Sequence, residues 1–599
     1  MTPEIFLNKL NKEYNKLHTN YENLFWLSYM GDKSATKKMD IAKNKRDAFR
    51  SDAKLYRTTE ELINKAKGEN KKRLQYWLTF FKKYHIPNEA LNLKKEITAL
   101  ESKIQTIRSK RIEGYLDPKS LKFIKVSELG MRSILRNNEN EDVRRACFEA
   151  MEELPNDTLP LYIELIEIRN KFAKLNGFND FYAYKLYTEE GMKKDYLFNL
   201  FDGIYQNTKY AFNNIRNLEK TRPSLRKHWN FAYMFSSDFA KEEDQYFQFE
   251  DSLLSWGQTF YRLGVDYQGS KLKLDLLDRK GKYSNGFCHW PNLVRYDGDK
   301  LIPGSSNFTC NVVLGSISGG SIGLHTLFHE GGHAAHLLNS RQKDACVNHE
   351  YPPASTAWDE TQSMFMDSIS SSIEWKTRYA NNSRGDLYPF SLFERKLEKL
   401  HVLAPLDFMS IMYVSEFEKR IYEEKSLDIN KVKTIARLVN KKYFDRSTES
   451  VSVLNVPHIY SFESSASYHG YGLALLAVAM WRDYFYKKYG HIVDNKKVGL
   501  EMKKVWSLAH TKSFNELVKI ATGQELSPKS YIKSINRSIE EIKKISLERI
   551  DKLKGIKNKD SRLNLNAQIS LYHGKKKITD NKNGFEKMAE KYSKWLKSQ

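Results

Sequence analysis

The sequence predicts a mainly α-helical protein with a small β-rich segment placed just ahead of one histidine-bearing helix. Three observations predict this class. Apolar residues recur at helical spacing over most of the 599 residues, short β-like runs broken by Gly and Asn are confined to about 265–312, and HTLFHEGGHAAHLL (His325–Leu338) sets four histidines and one glutamate among apolar or small residues. With 40% hydrophobic and 13% aromatic residues the chain can build a large core, which excludes a disordered class.

Residues 1–115 read as an N-terminal helical region, because FLNKLNKEYNKLHTNYENLFWLSYM and LKKEITALESKIQTIRSKRIEGYL alternate apolar and charged positions at a helical period. Pro87 and Asp117-Pro118 interrupt these runs and mark boundaries. Within 116–550, read as the mainly helical region carrying the chemistry, helices are expected over 139–152, 159–176 and 192–215. The second should close at Asn176-Gly177, where glycine reaches the left-handed backbone that ends a helix. KLKLDLLDRKGKYSNGFCHWP and SNFTCNVVLGSISGGS suggest a few short strands. After His349 the chain returns to helix over 359–376, 391–404, 430–443, 468–489 and 511–523, with an amphipathic Lys/Glu-rich helix over 531–553. Residues 551–599 read as a polar C-terminal tail with a short helix, its stretch 554–584 expected to be mobile.

The formal charge of +24 invites a nucleic-acid reading, but lysines are spread along the chain and interleaved with glutamates, as in SIEEIKKISLERIDKLKGIKNK. No zinc-finger spacing or aromatic-basic module gathers them, so no specific nucleic-acid partner is expected, and a carboxylate-bearing substrate suits the charge better. Cys147, Cys288, Cys310 and Cys346 are too few and scattered for a disulfide framework and form no CxxC pair. MTPEIFLNKLNKEYNKL has no apolar run of a secretory signal, and YGLALLAVAMW (Tyr471–Trp481) is too short to span a bilayer. A soluble, cytoplasmic protein with no membrane partner is expected.

In a helix, residues four apart share a side, so His329 and His333 project together with Glu330 beside them. This H-E-x-x-H arrangement lets two imidazoles bind zinc while the glutamate acts as general base. The competing reading is an ordinary buried helix with hydrogen-bonded rings. Gly331 and Gly332 should cost the helix about 1 kcal/mol each relative to alanine, a cost explained by a neighbouring segment or a substrate passing close to the backbone. Catalytic zinc takes three protein ligands, and STAWDETQSMFMDSISSSIEW supplies Glu360 as the third, with Asp359 before it. Asp367 could orient a ligand imidazole. His325 and His336 share much of the His329 face and are expected outside the ligand set.

At these residues the chain resembles the thimet oligopeptidase and oligoendopeptidase F family of zinc metallopeptidases, family M3. His329-Glu330-Gly331-Gly332-His333 is similar to its His-Glu-x-Gly-His helix, His336 to a histidine often found there, and Glu360-Thr361-Gln362-Ser363 to its Glu-x-x-Ser segment. The resemblance is strongest over about 270–375 and 455–485 and weaker across 140–550. It implies two helical lobes enclosing a deep substrate channel, one Zn2+ per chain, and short unfolded peptides as substrates of a monomeric enzyme. It also implies that His458, Tyr468 and Tyr471 in PHIYSFESSASYHGYG face the metal, where their N–H and O–H groups can donate to an oxyanion. The His458–Tyr468 spacing is longer than the family's, and a tyrosine expected between them is replaced within SFESS.

The implied reaction is peptide-bond hydrolysis, with His329, His333 and Glu360 holding zinc, Glu330 moving the proton, and Tyr468, Tyr471 and His458 stabilising the oxyanion. An oligoendopeptidase is expected. Dipeptidyl carboxypeptidases, including angiotensin-converting-enzyme-like peptidases, share the features read so far, and a catalytically inactive peptide-binding protein would keep the architecture without the metal.

Overall fold

The computed structural model describes residues 1–283, 285–556 and 562–599. Helices stand close to where periodicity places them: Glu141–Glu153, Leu159–Leu175, Phe390–Leu400, Ile429–Phe444, His469–Tyr489 and Phe514–Thr522. Gly177, with φ 84°, follows the second as expected. Three expected helices are each divided in two, as Lys194–Thr208 with Tyr210–Thr221, Thr356–Ser370 with Ile373–Tyr379, and Lys529–Ile535 with Ile539–Lys554.

Helix α1 (Pro3–Tyr29) begins where the Thr2 hydroxyl accepts the Ile5 N–H, with proline at its first position. Its buried stripe of Phe6, Leu7, Leu10, Tyr14, His18 and Tyr21 recurs at three- and four-residue steps. A ribbon of β1 (Gly114–Leu116) and β2 (Phe123–Lys125) precedes α2 (Glu128–Asn137) and α3 (Glu141–Glu153). Helix α4 (Phe249–Leu263) then leads into the strands β3 (Ser270–Leu277), β4 (Phe287–Asn292), β5 (Arg295–Asp297), β6 (Lys300–Ile302) and β7 (Ser305–Val312).

After β7 come α5 (Gly319–Leu338), α6 (Thr356–Ser370) and α7 (His469–Tyr489), and last the strands β8 (Ala567–His573) and β9 (Lys576–Asp580) and helix α8 (Phe585–Leu596). The main sheet has the order β4-β7-β3-β8-β9. Strand β3 lies between two parallel neighbours, Leu274 opposite Phe308 on β7 and Leu571 on β8, while β4 and β9 close the edges antiparallel. Leu272, Leu274, Leu276, Phe308, Ile569 and Leu571 are buried, whereas Lys271 and Lys273 pair with Gln568 and Ser570. Within the stretch 554–584, expected to be mobile, Ala567–His573 and Lys576–Asp580 are strands of the central sheet, while 557–561 lie outside the described residues; the helix Phe585–Leu596 follows.

One cluster of buried apolar side chains runs from Phe6 to Leu596, with a smaller one formed by Tyr115, Met131, Val143, Cys147 and Met151. Helix α1 is tied to β4, since His18 Nε2 lies 2.8 Å from the Trp290 carbonyl oxygen and Glu22 lies 2.8 Å from His289 Nδ1. The four cysteines are free thiols. No helix of the described residues is long and apolar enough to cross a membrane.

Candidate metal centre

Helix α5 is wedged among close neighbours. Leu327, Phe328, Ala334, Ala335, Leu337 and Leu338 are buried, and Phe328 meets the edge of Phe260 on α4 at 5.6 Å. The paired glycines explain how two helices reach it. A Cβ on Gly331 would stand 2.6 Å from Trp256 Nε1, and one on Gly332 would stand 3.0 Å from the Gln362 carbonyl oxygen and 3.1 Å from Ser363 Cα on α6. The crowding read from the sequence is therefore present, and it comes from α4 and α6.

Helix α6 starts where Ser355 accepts the Trp358 N–H and the Glu190 carboxylate accepts the Ala357 N–H at 2.9 Å. Sequence reasoning missed Glu190, which lies 167 residues away and has no spacing signal. Burial pushes its carboxyl up to about 7.

Between the two helices, His329 Nε2 and His333 Nε2 lie 3.5 and 3.7 Å from Glu360 Oε2, and the two rings are 4.9 Å apart. These three residues together can offer a metal one ligand atom each. Zinc bonds of about 2.0–2.2 Å put tetrahedral ligands roughly 3.3–3.6 Å apart, so the donor set fits the ion. His329 Nδ1 lies 2.7 Å from Asp367 Oδ2 and its Nε2 faces Glu360; burial lowers the ring, but the charge and hydrogen bond of Asp367 outweigh it and raise it to about 10, so a metal here would displace a proton from Nε2. Ser363 donates to Glu360 Oε2 at 3.2 Å. Burial holds the His333 ring down to about 3, keeping it in the neutral form that ligates.

Glu330 is buried beside this set. Burial pushes its carboxyl up to about 8, with His329 opposing and Glu360 and Asp367 adding to the push. The chain ahead of β4 reaches it at Gly286, where a Cβ would sit 3.2 Å from Glu330 Oε1. His458, Tyr468 and Tyr471 form a ring cluster, at 5.2 Å for His458–Tyr468, 5.2 Å for Tyr468–Tyr471 and 6.4 Å for His458–Tyr471. The charge of Glu360, then burial, raise the Tyr471 phenol well above its ordinary value, with Glu330 also contributing. Burial raises Tyr468 and lowers His458. Neighbouring His469 is fully buried and its Nδ1 lies 3.0 Å from the Tyr182 hydroxyl, so it belongs to the packing of α7.

The remaining histidines of the opening motif separate. His325 is half exposed, 3.5 Å from Asp367. His336 joins a second cluster: its Nδ1 lies 3.2 Å from Asp359 Oδ1, which is also 3.1 Å from His510 Nε2. These three residues could also offer a metal one ligand atom each. The Trp358 indole N–H donates to His336 Nε2 at 3.2 Å, so that nitrogen is an acceptor and the ring's proton is on Nδ1, facing Asp359. The cluster joins α5, α6 and the His510 segment, and its three facing atoms, His336 Nδ1, Asp359 Oδ1 and His510 Nε2, are buried without a hydrogen-bond partner.

An H-E-x-x-H helix facing a glutamate on the next helix defines a metal-binding class of site in which two imidazoles and one carboxylate leave an open position. Residues 266–537, somewhat under half of the chain, match the sequence model of Peptidase family M3. No curated protein sequence matches the chain. Among solved structures it is similar to the M32 carboxypeptidase from Deinococcus radiodurans R1, at 14% identity and TM-score 0.62, over 90% of this chain and 100% of the other. It is also similar to Trypanosoma cruzi metallocarboxypeptidase 1, at 15% identity and TM-score 0.60, over 89% of this chain and 99% of the other. At such identity the likeness is one of fold.

Proposed function

We propose that this protein is a zinc-dependent peptidase acting on short unfolded peptides, with one zinc ion held by His329, His333 and Glu360. The observation that carries the reading is the 3.5 and 3.7 Å approach of the two imidazoles to Glu360, with His329 Nδ1 hydrogen-bonded to Asp367. Bound zinc would supply positive charge that makes a water acidic and polarises a carbonyl.

The rest of the chemistry belongs to the chain's own side chains. In its ionised form Glu330 takes a proton from the attacking water as its oxygen bonds to the scissile carbonyl carbon, and passes it to the leaving amine as the C–N bond breaks. Tyr471, Tyr468 and His458 donate hydrogen bonds to the carbonyl oxygen as it gains charge. The raised phenol values of both tyrosines keep them as donors at neutral pH.

Trimming from the C-terminal end takes precedence over internal cleavage. It is supported by the two carboxypeptidases whose fold covers about nine-tenths of this chain. The oligoendopeptidase reading stands second, on the likeness of His329–His333 and Glu360–Ser363 to that subgroup. On either reading residues 116–550 carry the catalytic machinery, with helical lobes enclosing a peptide channel, and the enzyme works as a monomer. A reducing compartment, the cytoplasm, is the reading supported by four cysteines that form no disulfide.

Zinc analysis together with mass-spectrometric mapping of products from a mixed peptide pool tests this. Ladders shortened only at the C-terminus support the carboxypeptidase reading, and internal fragments support the second. Bound peptide with neither zinc nor products would mark an inactive binding protein.

A further inference from the structure

The β1–β2 ribbon presents an apolar surface to solvent. Leu121 is 78% exposed, Ile112 71%, Leu116 61% and Phe123 50%, all within twelve positions of the chain. Contiguous exposed apolar groups of this kind mark interaction sites more often than isolated ones do. Leu121 at the turn also holds φ at 55°, a backbone region in which glycine or asparagine is at ease and leucine is not. The tip therefore combines strain with exposure.

The ribbon has only two strands, so each keeps an unpaired outer edge. Val126 N–H donates to the Glu113 carbonyl and Asp117 N–H to the Lys122 carbonyl, which turns the backbone groups of Gly114 and Leu116 to one edge and of Phe123 and Lys125 to the other. Lys119, Lys122 and Lys125 are exposed around the apolar residues.

This ribbon is anchored beside the residues proposed to stabilise the oxyanion. Tyr115 packs with Met131 on α2 and with Val143, Cys147 and Met151 on α3. Helix α3 in turn grips the segment leading to His458: Glu152 accepts from the Ser450 hydroxyl and the Val451 N–H, each at 2.7 Å, and Asn455 donates to the Met151 carbonyl at 2.9 Å. Arg132 on α2 is within electrostatic reach of the Tyr468 hydroxyl.

We propose that the β1–β2 ribbon is a docking strand for substrate, which adds an extended peptide along its open edge with apolar side chains against Leu116, Leu121 and Phe123. Strand addition supplies main-chain hydrogen bonds, and alternate side chains supply selectivity. The surrounding lysines favour peptides bearing carboxylates and disfavour a second copy of this chain, whose own lysines would face them. The proposal rests on the peptidase reading.

The test is the variant Leu116→Ser/Leu121→Asn/Phe123→Ser, whose three side chains are exposed, so circular dichroism is expected to match wild type. The probes are an apolar, glutamate-containing peptide of about twelve residues, roughly 40 Å when extended, and its C-terminal fragment of about five. The ratio of kcat/KM for the long over the short peptide is expected to fall about tenfold in the variant, through KM. An unchanged ratio overturns the proposal.

Fluorescence anisotropy on zinc-loaded Glu330→Gln protein separates docking from chemistry. There the long peptide is expected to bind about tenfold more weakly when the ribbon is also changed. If wild type cleaves neither peptide while this loss of binding is seen, the peptidase reading fails and docking stands. If cleavage is robust and binding is indifferent to the ribbon, docking fails and the peptidase reading stands. Sedimentation showing a dimeric wild type and a monomeric variant would also overturn the proposal in favour of self-association.

Discussion

His329, His333 and Glu360 meet between α5 and α6 with side chains 13–25% exposed, whereas His336, Asp359 and His510 meet farther along the same pair of helices with 10% or less. Each sets two imidazoles within 3.1–3.7 Å of one carboxylate. The neighbours differ. Asp367 holds His329 by Nδ1 and turns its Nε2 toward Glu360, while Trp358 donates to Nε2 of His336 and turns its Nδ1 toward Asp359. The next residue out decides which ring nitrogen faces the carboxylate, Nε2 in the first cluster and Nδ1 of His336 in the second.

The largest expected effect falls on the first cluster. Glu330→Gln should slow peptide hydrolysis about 10²–10⁴-fold while zinc, measured by elemental analysis, stays bound; equal rates would remove Glu330 from the chemistry. Next, Asp367→Asn should weaken zinc affinity by about 10–100-fold, read by competition with a chelating dye. His510→Gln should leave the zinc stoichiometry unchanged and cost about 1.5–3 kcal/mol of stability, read by urea unfolding. Metal loss in His510→Gln but not in Asp367→Asn would invert the comparison.

Gly332→Ala tests the contact the two clusters share. Its new methyl meets Gln362 and Ser363, so a cost of about 1–3 kcal/mol is expected, with zinc affinity falling in the same titration. The smallest effect comes from His18, outside both clusters, which burial holds at about 4. Its unfolded ring takes a proton near pH 6.5, so its contribution is complete above that pH and shrinks as pH falls toward 4. The melting temperature should drop by about 2 °C between pH 7 and 5, and a His18→Phe variant should lose part of that dependence.

Much of the first cluster was legible because helical period alone brings His329 and His333 together, and because Glu360 lies in the next amphipathic stretch. The glycine pair was legible as crowding, though not which helices crowd it. His510 was not, since it reaches Asp359 from 151 residues away with no motif to announce it. The C-terminal strands were hidden for a different reason. Only Ile569 and Leu571 of β8 point into the core, while Gln568 and Ser570 lie beside Lys271 and Lys273 on the other face, so the stretch has the polarity of a loop. The β1–β2 ribbon was hidden by the converse, apolar residues left outside.

The position of β8 in the sheet also governs when the molecule can assemble. Strand β3 stays unpaired on one side until residues some 300 positions later have been made, and Phe585, which covers Gly257 on the helix behind α5, comes later still. At synthesis rates of about 5–20 residues per second, β3 and the histidine helix wait roughly 15–60 s for their last partners. During that interval the nascent chain exposes a leucine-rich edge, and a ribosome stalled ahead of β8 would present it as a ready substrate for chaperones.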